Sequence, residues 1–449
     1  MTDEKMDTAI GIILRTGVML AAAIVLAGGA FYLAQNPNAA PDHARFHGVS
    51  AALTHFATIA TGAASLNPLF IIQFGLVVLM ATPVVRVIAC VFGFGLKRDW
   101  HYVVISCIVL ALLAGSLSAA DDAPGKLAAR ALGPTPIFSD LSELCDGIGG
   151  RPTGSDALNR AVDWAARKFV DAGYSNVKLE SFTIPHLWLP GAADAAAIAP
   201  ERFPIRIAAA PFTPSTNGPV ELRVVDAGEG SEHEFTALGE RARGAAVLVH
   251  SSEMKTFDDL FAEYLRNAPL LAAAQKAGAA ALLLESTRPR GLLYRHPLTF
   301  DGSLAAIPAA IVSREHFMRL ARLASQGATV RLDIRNKTAG AYESNNVVAD
   351  LPGREKPDEI VLVGAHLDSW DLGTGAEDNG VNAALILDIA RGFKQLGIVP
   401  RRTIRFVLFT GEEQGMWGSR RYVEQHRAEL GRHAAVVVFD TGSGRLTGF

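Results

Sequence analysis

The sequence predicts an α/β protein with a doubly wound, mostly parallel sheet, an inserted β-rich domain and three transmembrane helices that precede the sheet. Charge is the first observation, because residues 1–118 carry 11 charged side chains and the remaining 331 residues carry the other 76. The second is a regular alternation of apolar strands and helices over residues 345–449, which is typical of a parallel sheet covered on both faces. The third is a run of short strands over residues 205–335 that interrupts the α/β pattern.

The membrane region is predicted over residues 1–120. Three uncharged apolar stretches, 16–34, 68–85 and 102–120, are each long enough to cross a hydrocarbon core of about 30 Å as a helix and to contact membrane lipid. The third stretch ends in small residues, so it also has the pattern of a cleavable signal peptide. As a whole, this region resembles a family of small three-helix bacterial membrane proteins of unknown function.

Basic residues predict the orientation of these spans. Arg86 follows the second stretch, and Lys97 and Arg98 lie in the short turn before the third, which places this loop in the cytoplasm. We therefore expect a multi-pass protein of the cell (inner) membrane, with everything after residue 120 periplasmic or extracellular. The formal net charge of −3 predicts no nucleic-acid partner, and the oligomeric state stays open.

Composition divides the rest of the chain into segments. Three cysteines are too few for a disulfide framework. In the interrupting stretch, His250, His296 and His316 are scattered, and we interpret them as surface or core histidines rather than metal ligands. The predicted segments are a linker over 121–137, the first part of the α/β domain over 138–204, the inserted domain over 205–335, and the second part of the α/β domain over 336–449.

Candidate metal ligands lie where the late strands and one helix begin or end. His366 follows the run IVLVGA, Glu412 and Glu413 follow IRFVLFTG, Asp440 follows AVVVF, and Asp378 precedes the helix over 379–395. Because the carboxyl ends of strands in a doubly wound sheet line one crevice, we expect these side chains to converge. One imidazole with several carboxylates suits zinc, manganese or cobalt, and this many carboxylates suits two ions that share a bridging ligand.

Two smaller features add to this pattern. Asp368 lies two residues after His366, where its carboxylate can accept the free imidazole N–H and fix the tautomer. Glu412 and Glu413 are adjacent and cannot point the same way. One can therefore bind metal while the other faces a bound water.

Four motifs carry a resemblance to the co-catalytic zinc exopeptidases of peptidase family M28. They are GAHLDSW at 364–370, EDNGVNAA at 377–384, GEEQG at 411–415 and FDTGSG at 439–444. The resemblance covers residues 138–449, begins with GGRPTGSDALNRAVDWA, and includes a protease-associated domain that corresponds to the insertion.

This resemblance implies a role for each candidate residue. His366 and Asp440 would bind one zinc, Glu413 the other, and Asp378 would bridge the two ions. Glu412 would be the general base and acid of peptide hydrolysis. Asp368 would support His366. Whether such an enzyme attacks amino or carboxyl ends, and which side chains it prefers, stays open.

One departure from the family pattern limits this prediction. The family has a fifth ligand, a histidine well downstream of the Asp440 motif, whereas this sequence ends at Phe449. His426 and His433 precede Asp440, and we interpret both as surface residues. We therefore expect a shortened or degenerate relative that holds one ion at best. The alternatives are a non-catalytic, membrane-tethered binding protein with the peptidase fold, and a glutaminyl-cyclase-like acyl transferase with one zinc.

Overall fold

The computed structural model describes residues 3–36, 53, 56–118, 123–299, 301–440 and 442. The chain divides into two compact units, Met1–Gly133 and Pro134–Phe449. The FDTGSG motif lies outside the described residues except for Phe439, Asp440 and Gly442. The end of the predicted third span, 119–120, also lies outside them.

The first unit is helical. Its described helices are α1 (Asp3–Gln35), α2 (Phe56–Ala64), α3 (Pro68–Leu96), α4 (Trp100–Ser118) and α5 (Ala123–Ala131). Helices α1 and α3 pack closely because small residues line their contact. A Cβ on Gly28 would lie 2.9 Å from the backbone nitrogen of Ile72, and one on Gly75 would lie 3.1 Å from that of Val25.

Two predictions for this unit need correction. Two described helices, Gly11–Gln35 and Pro68–Leu96, are long and apolar enough to span a membrane, whereas three spans were expected. The third predicted stretch falls on α4, whose apolar part within the described residues is the shorter segment Trp100–Ala111. Part of the predicted linker 121–137 is the helix α5, because Ala-rich sequence with Lys and Arg favours helix.

The second unit contains all the strands of the described chain. Its helices are α6 (Ile137–Ser142), α7 (Asp156–Asp171), α8 (Glu232–Leu238), α9 (Phe257–Lys276), α10 (Arg314–Ala324), α11 (Val381–Gln395) and α12 (Trp417–Gln425). The strands are β1 (Lys178–Ile184), β2 (Leu187–Leu189), β3 (Ala193–Ala199), β4 (Phe203–Ile205), β5 (Ile207–Ala209), β6 (Val220–Asp226), β7 (Ala246–Val249), β8 (Ala281–Glu285), β9 (Ala309–Val312), β10 (Thr329–Ile334), β11 (Lys337–Ala339), β12 (Tyr342–Leu351), β13 (Lys356–His366), β14 (Arg402–Phe409) and β15 (His433–Phe439).

The first sheet has the strand order β1-β12-β14-β13-β15. The sequence predicted a mostly parallel sheet, and the structure corrects this. Strand β13 runs parallel to β14 and β15, but β12 is antiparallel to both β1 and β14. The doubly wound prediction holds in a coarser form, because α7 and α11 pack on one face of the sheet and Tyr422 of α12 packs on the other. The N-cap of α7 is Ser155, whose side chain accepts a hydrogen bond from the Leu158 N–H.

The second sheet has the order β4-β3-β10-β6-β7-β8-β9-β5, with β6, β7, β8 and β9 parallel to one another. Side chains of α8 and α9 cover one face and those of α10 cover the other, so the insertion is an α/β layer structure. The sheet takes strands from Ala193 onward, upstream of the predicted boundary at 205, because β3 pairs with β10. The short ribbon of β2 and β11 lies where the chain enters and leaves this sheet.

Candidate metal centre

The carboxyl edge of the first sheet gathers the predicted site residues. His366 is the last residue of β13, which lies between β14 and β15 in parallel register. Glu412 follows the end of β14 by three residues, and Asp440 follows β15 directly. Asp378 lies in the turn Ala376–Gly380 before α11, where its own backbone is not helical. The side-chain amide of Asn379 donates to the carbonyl of Phe439 at 2.9 Å and so ties this turn to the end of β15.

The imidazole of His366 is the centre of this cluster. Its Nε2 lies 3.1 Å from Asp378 Oδ1, 3.1 Å from Asp440 Oδ1 and 3.9 Å from Glu412 Oε2. One ligand atom from each of His366, Glu412 and Asp440 lies within 4.8 Å of the others. The structure therefore brings four predicted residues together. Glu413 is adjacent, but its carboxylate is not part of this group in the described chain.

Electrostatics in the cluster favour a bound cation. Burial alone would lower the pKa of His366, but the carboxylates of Asp368, Asp378 and Asp440 raise it well above its ordinary value. Burial raises the pKa of Glu412 to about 7. The positive charge of His366 lowers this pKa and the negative charge of Asp368 raises it, but burial has the larger effect. Burial, followed by the charge of Asp378, also raises the pKa of Glu413 well above its usual range. A divalent cation would offset this crowding of carboxylates, so the donor set fits a metal.

Asp368 has a different environment from the one predicted. The Nδ1 of His366 lies 3.0 Å from the backbone carbonyl of Asp368, while the nearer carboxylate oxygen is 3.6 Å away. The carboxylate instead accepts hydrogen bonds from the hydroxyl of Thr153 at 2.8 Å and from the backbone N–H groups of Glu412 and Glu413, each at 3.2 Å. The carbonyl thus fixes the imidazole tautomer, and the carboxylate holds the turn after β14.

Sequence reasoning missed the segment that carries Thr153. The neighbouring Arg151 is fully buried, and its guanidinium donates to the carbonyls of Leu367, Thr374 and Gly375. The only signal was the GGRPTGS stretch, which entered the prediction through the family resemblance alone. Its partners lie more than two hundred residues away along the chain.

The insertion supplies a second wall to the region of the cluster. A cavity of about 340 Å³ is lined by residues of the insertion and of the turn before α11. Burial, followed by the charges of Glu413 and Asp378, raises the pKa of Tyr294 in its lining. The hydroxyl of this tyrosine therefore stays a hydrogen-bond donor. The lining residues are Met254, Lys255, Thr256, Leu260, Arg288, Tyr294, Glu377 and Asp378.

The two other histidines of the late segment lie elsewhere. His433 begins β15, so the length of the strand separates it from Asp440. His426 contacts Glu180 of β1 at 3.0 Å through Nε2 and stacks on the ring of Tyr422. Neither histidine belongs to the cluster around His366.

The first sheet is mixed, and one imidazole and several carboxylates lie at the carboxyl ends of its parallel strands. This arrangement is typical of the class of proteins that bind divalent metals through histidine and carboxylate ligands. Peptidase family M28 matches residues 346–446, the segment that carries the whole cluster. Carboxypeptidase Q of Mus musculus is 31% identical over 318 residues, which are 69% of this chain and 66% of that protein. The chain therefore belongs to peptidase family M28.

Solved structures agree with this assignment. The crystal structure of a peptidase M28 precursor from Shewanella amazonensis SB2B has a TM-score of 0.65 and 28% identity, over 71% of this chain and 74% of that one. BSAP, a zinc aminopeptidase from Bacillus subtilis, has a TM-score of 0.53 and 26% identity, over 68% of each chain. This chain spans just under two thirds of the length of mouse carboxypeptidase Q. Residues 10–118 match a family of unknown function, DUF1634.

Proposed function

We propose that this chain is a membrane-anchored, zinc-dependent exopeptidase that hydrolyses small peptides. The observation that carries the proposal is the approach of Asp378 and Asp440 to within 3.1 Å of His366 Nε2, with Glu412 at 3.9 Å. The zinc aminopeptidase BSAP, at 26% identity, supports zinc as the metal.

In this proposal each side chain has a separate task. His366 and Asp440 would hold one zinc, Glu413 would hold a second, and Asp378 would be a ligand shared by both. Bound zinc supplies Lewis acidity, which makes water a stronger acid and polarises a carbonyl. Glu412 takes the proton of the attacking water and delivers it to the departing amine. Burial raises the pKa of Glu412 to about 7 in the metal-free chain, and bound zinc would lower it, so the carboxylate would be ionised and able to accept this proton.

The insertion, which we interpret as a protease-associated domain, completes the substrate cleft in this proposal. Arg288 and Tyr294 of the insertion line the same cavity as Glu377 and Asp378. A peptide in this cleft would meet cationic and hydroxyl donors as well as carboxylates. This arrangement suits the polar groups of a peptide backbone.

A turnover assay on the full chain in detergent tests this function. Zinc-loaded protein should release amino acids from short peptides, and Glu412→Gln should lower kcat by about two to four orders of magnitude while zinc stays bound, because the general base is lost. Glu424→Gln is the matched control, since Glu424 is exposed on α12 and pairs with Arg421. Metal analysis distinguishes one zinc from two.

Other outcomes of the same assay would replace the proposal. Peptide binding without release of amino acids would indicate a binding protein. Conversion of amino-terminal glutamine to a cyclic product would indicate an acyl transferase. Equal loss of activity in both glutamate variants would remove Glu412 from the mechanism.

The membrane part of the proposal rests on the two candidate spans and on the basic loop at 97–98. Because the 97–98 loop is assigned to the cytoplasm, the opposite side is reached only through a third span. We propose that the 19-residue helix α4 forms this span and that residues 121–449 lie on the periplasmic or extracellular side. Protease added to intact spheroplasts should digest this part. Protection until the cells are lysed would reverse the orientation.

A further inference from the structure

We propose that Thr153 is a positioning residue for Glu412 and acts through Asp368. Its hydroxyl donates to Asp368 Oδ2 at 2.8 Å, and both side chains are fully buried. Thr153 comes before α7 in the sequence, whereas Glu412 follows β14. The link therefore joins the two parts of the domain that the insertion separates.

Asp368 connects Thr153 to the turn after β14 through hydrogen bonds to both. Its two carboxylate oxygens accept the backbone N–H groups of Glu412 and Glu413, one each, at 3.2 Å. The backbone donors of two adjacent residues thus face one carboxylate, which fixes the direction of both glutamate side chains. Oδ2 accepts both the Thr153 hydroxyl and the Glu413 N–H, so loss of the hydroxyl weakens the anchor of this turn.

The segment that carries Thr153 is itself held rigidly. The backbone N–H of Arg151 donates to Ser369 Oγ at 3.1 Å, and the Ser369 N–H donates to the Arg151 carbonyl at 3.2 Å. The Arg151 guanidinium holds carbonyls at both ends of the 367–375 loop. A Cβ on Gly150 would lie 2.8 Å from the Cα of Asp371, so the backbone packs directly against this loop.

The location of Thr153 distinguishes a role in positioning Glu412 from a general role in stabilising the fold. Thr153 lies behind Asp368 and does not touch the ligand atoms around His366. Its hydroxyl therefore acts on the turn that carries Glu412 and Glu413, and not on His366, Asp378 or Asp440 directly. A residue of this kind changes kcat more than KM, because substrate contacts are unaltered.

Hydrogen exchange on the full, metal-free chain in detergent measures the positioning directly and needs no activity. Thr153→Val removes the hydroxyl at nearly constant volume, and exchange of the Glu412 and Glu413 amides should accelerate by about tenfold. Thr153→Ala should accelerate exchange of the same two amides, and it serves as the test if the valine variant does not fold. Thr153→Ser keeps the hydroxyl and should stay within about twofold of the parent.

Thr403→Val is the matched control, because Thr403 is a buried threonine on β14 whose hydroxyl accepts the Gly353 N–H at 3.1 Å. It should accelerate exchange at Gly353 and leave the segment 411–415 unchanged. Unchanged exchange at Glu412 in both hydroxyl-free variants would overturn the proposal. Equal acceleration there by Thr403→Val, or failure of Thr153→Ser to restore protection, would overturn it too.

A kinetic arm rests on the proposed exopeptidase function. Thr153→Val should lower kcat by about tenfold with KM within twofold, and Thr153→Ser should restore kcat. If the parent chain has no peptidase activity, the proposed function fails while the exchange experiment still decides the role of Thr153. A kcat in Thr153→Val equal to that of an active parent would contradict the positioning role.

Discussion

The two large sheets place the same kinds of side chain at their parallel carboxyl edges, yet the two edges differ in charge balance. On the first sheet, His366 lies within 3.1 Å of two carboxylates. On the second, His250 follows β7 and contacts Asp226, the last residue of β6, at 3.0 Å. Glu285 ends β8 and lies 3.4 Å from Arg314, which follows β9.

Arginine makes the difference between these edges. Arg314 neutralises Glu285 on the second sheet, and the backbone N–H of Ser251 also donates to this carboxylate. On the first sheet, neither Asp378 nor Glu412 forms an ion pair with lysine or arginine within the described residues. Histidine and acidic residues at strand ends are thus common to both edges. What distinguishes the candidate centre on the first sheet is that Asp378 and Glu412 have no lysine or arginine partner among the described residues.

The largest expected effect is the loss of zinc affinity on substitution of His366, compared with substitution of His250. His366→Ala should weaken zinc binding by about two to three orders of magnitude, because one ligand of the centre is lost. His250→Ala should leave the affinity unchanged, since its carboxylate partners already face Arg314 and backbone donors. Competition with a chromophoric chelator measures both values on the full chain. A comparable loss in the two variants would break the distinction between the edges.

Removing one charged side chain should change the free energy of unfolding of the metal-free chain in opposite directions at the two edges. Arg314→Gln leaves the buried Glu285 carboxylate without its cation and should lower the free energy of unfolding by about 3 kcal/mol. Glu412→Gln should raise it at pH 8 by about 1–2 kcal/mol, a value reduced because about a third of this side chain is exposed. Urea unfolding followed by tryptophan fluorescence measures both. Destabilisation by Glu412→Gln would show that the first edge is already neutralised.

The smallest expected effect is on the pH dependence of stability and concerns Glu263 and His296, near the carboxyl edge of the second sheet. Protonation of these two side chains has opposite effects on the free energy of unfolding. Burial raises the pKa of Glu263 to about 7, against Arg266 and Arg288. Its contribution to stability is therefore lost as pH rises from about 4.5 to 7. Burial, aided by Arg288, lowers the pKa of His296 to about 3, so its contribution is lost as pH falls below about 6.5.

Between about pH 4.5 and 6.5 these two contributions should cancel. Glu263→Gln should unmask the histidine, so that the free energy of unfolding falls by about 1.4 kcal/mol per pH unit on acidification relative to the parent. His296→Phe keeps an aromatic ring between Tyr264 and Tyr294 and should produce the opposite slope. Parallel pH profiles for parent and variants would show that neither group titrates as its burial indicates.

The sequence was sufficient to predict the elements that carry the site. Strands β13 and β14 are apolar runs because they lie inside the sheet, whereas β15 is an apolar run at its edge with Val436 and Val438 exposed. In all three, the polar residue that follows or ends the run marks the crevice. Pairing was harder to predict. The antiparallel placement of β12 beside β14 depends on side chains that meet only in the folded sheet, so local patterns carry little information about it.

Long-range polar contacts were also beyond local reasoning. Asp368 was expected to orient His366 because the two are neighbours in sequence, but its carboxylate bonds Thr153, which is 215 residues away. The strands β6 to β9 were recognised as strands, yet their parallel order, and with it the position of His250 at an edge, became visible only in the fold.

The ribbon of β2 and β11 has a consequence for how this protein can be engineered. Leu189 and Lys337 are direct partners across the ribbon, so the chain leaves the first sheet and returns to it at almost the same point. A tight turn could join these positions, since closing a short hairpin costs little more entropy than the ribbon already requires. We therefore expect that chimaeras could exchange the insertion, and with it the residues Arg288 and Tyr294 that line the cavity, while the chain's connectivity stays intact.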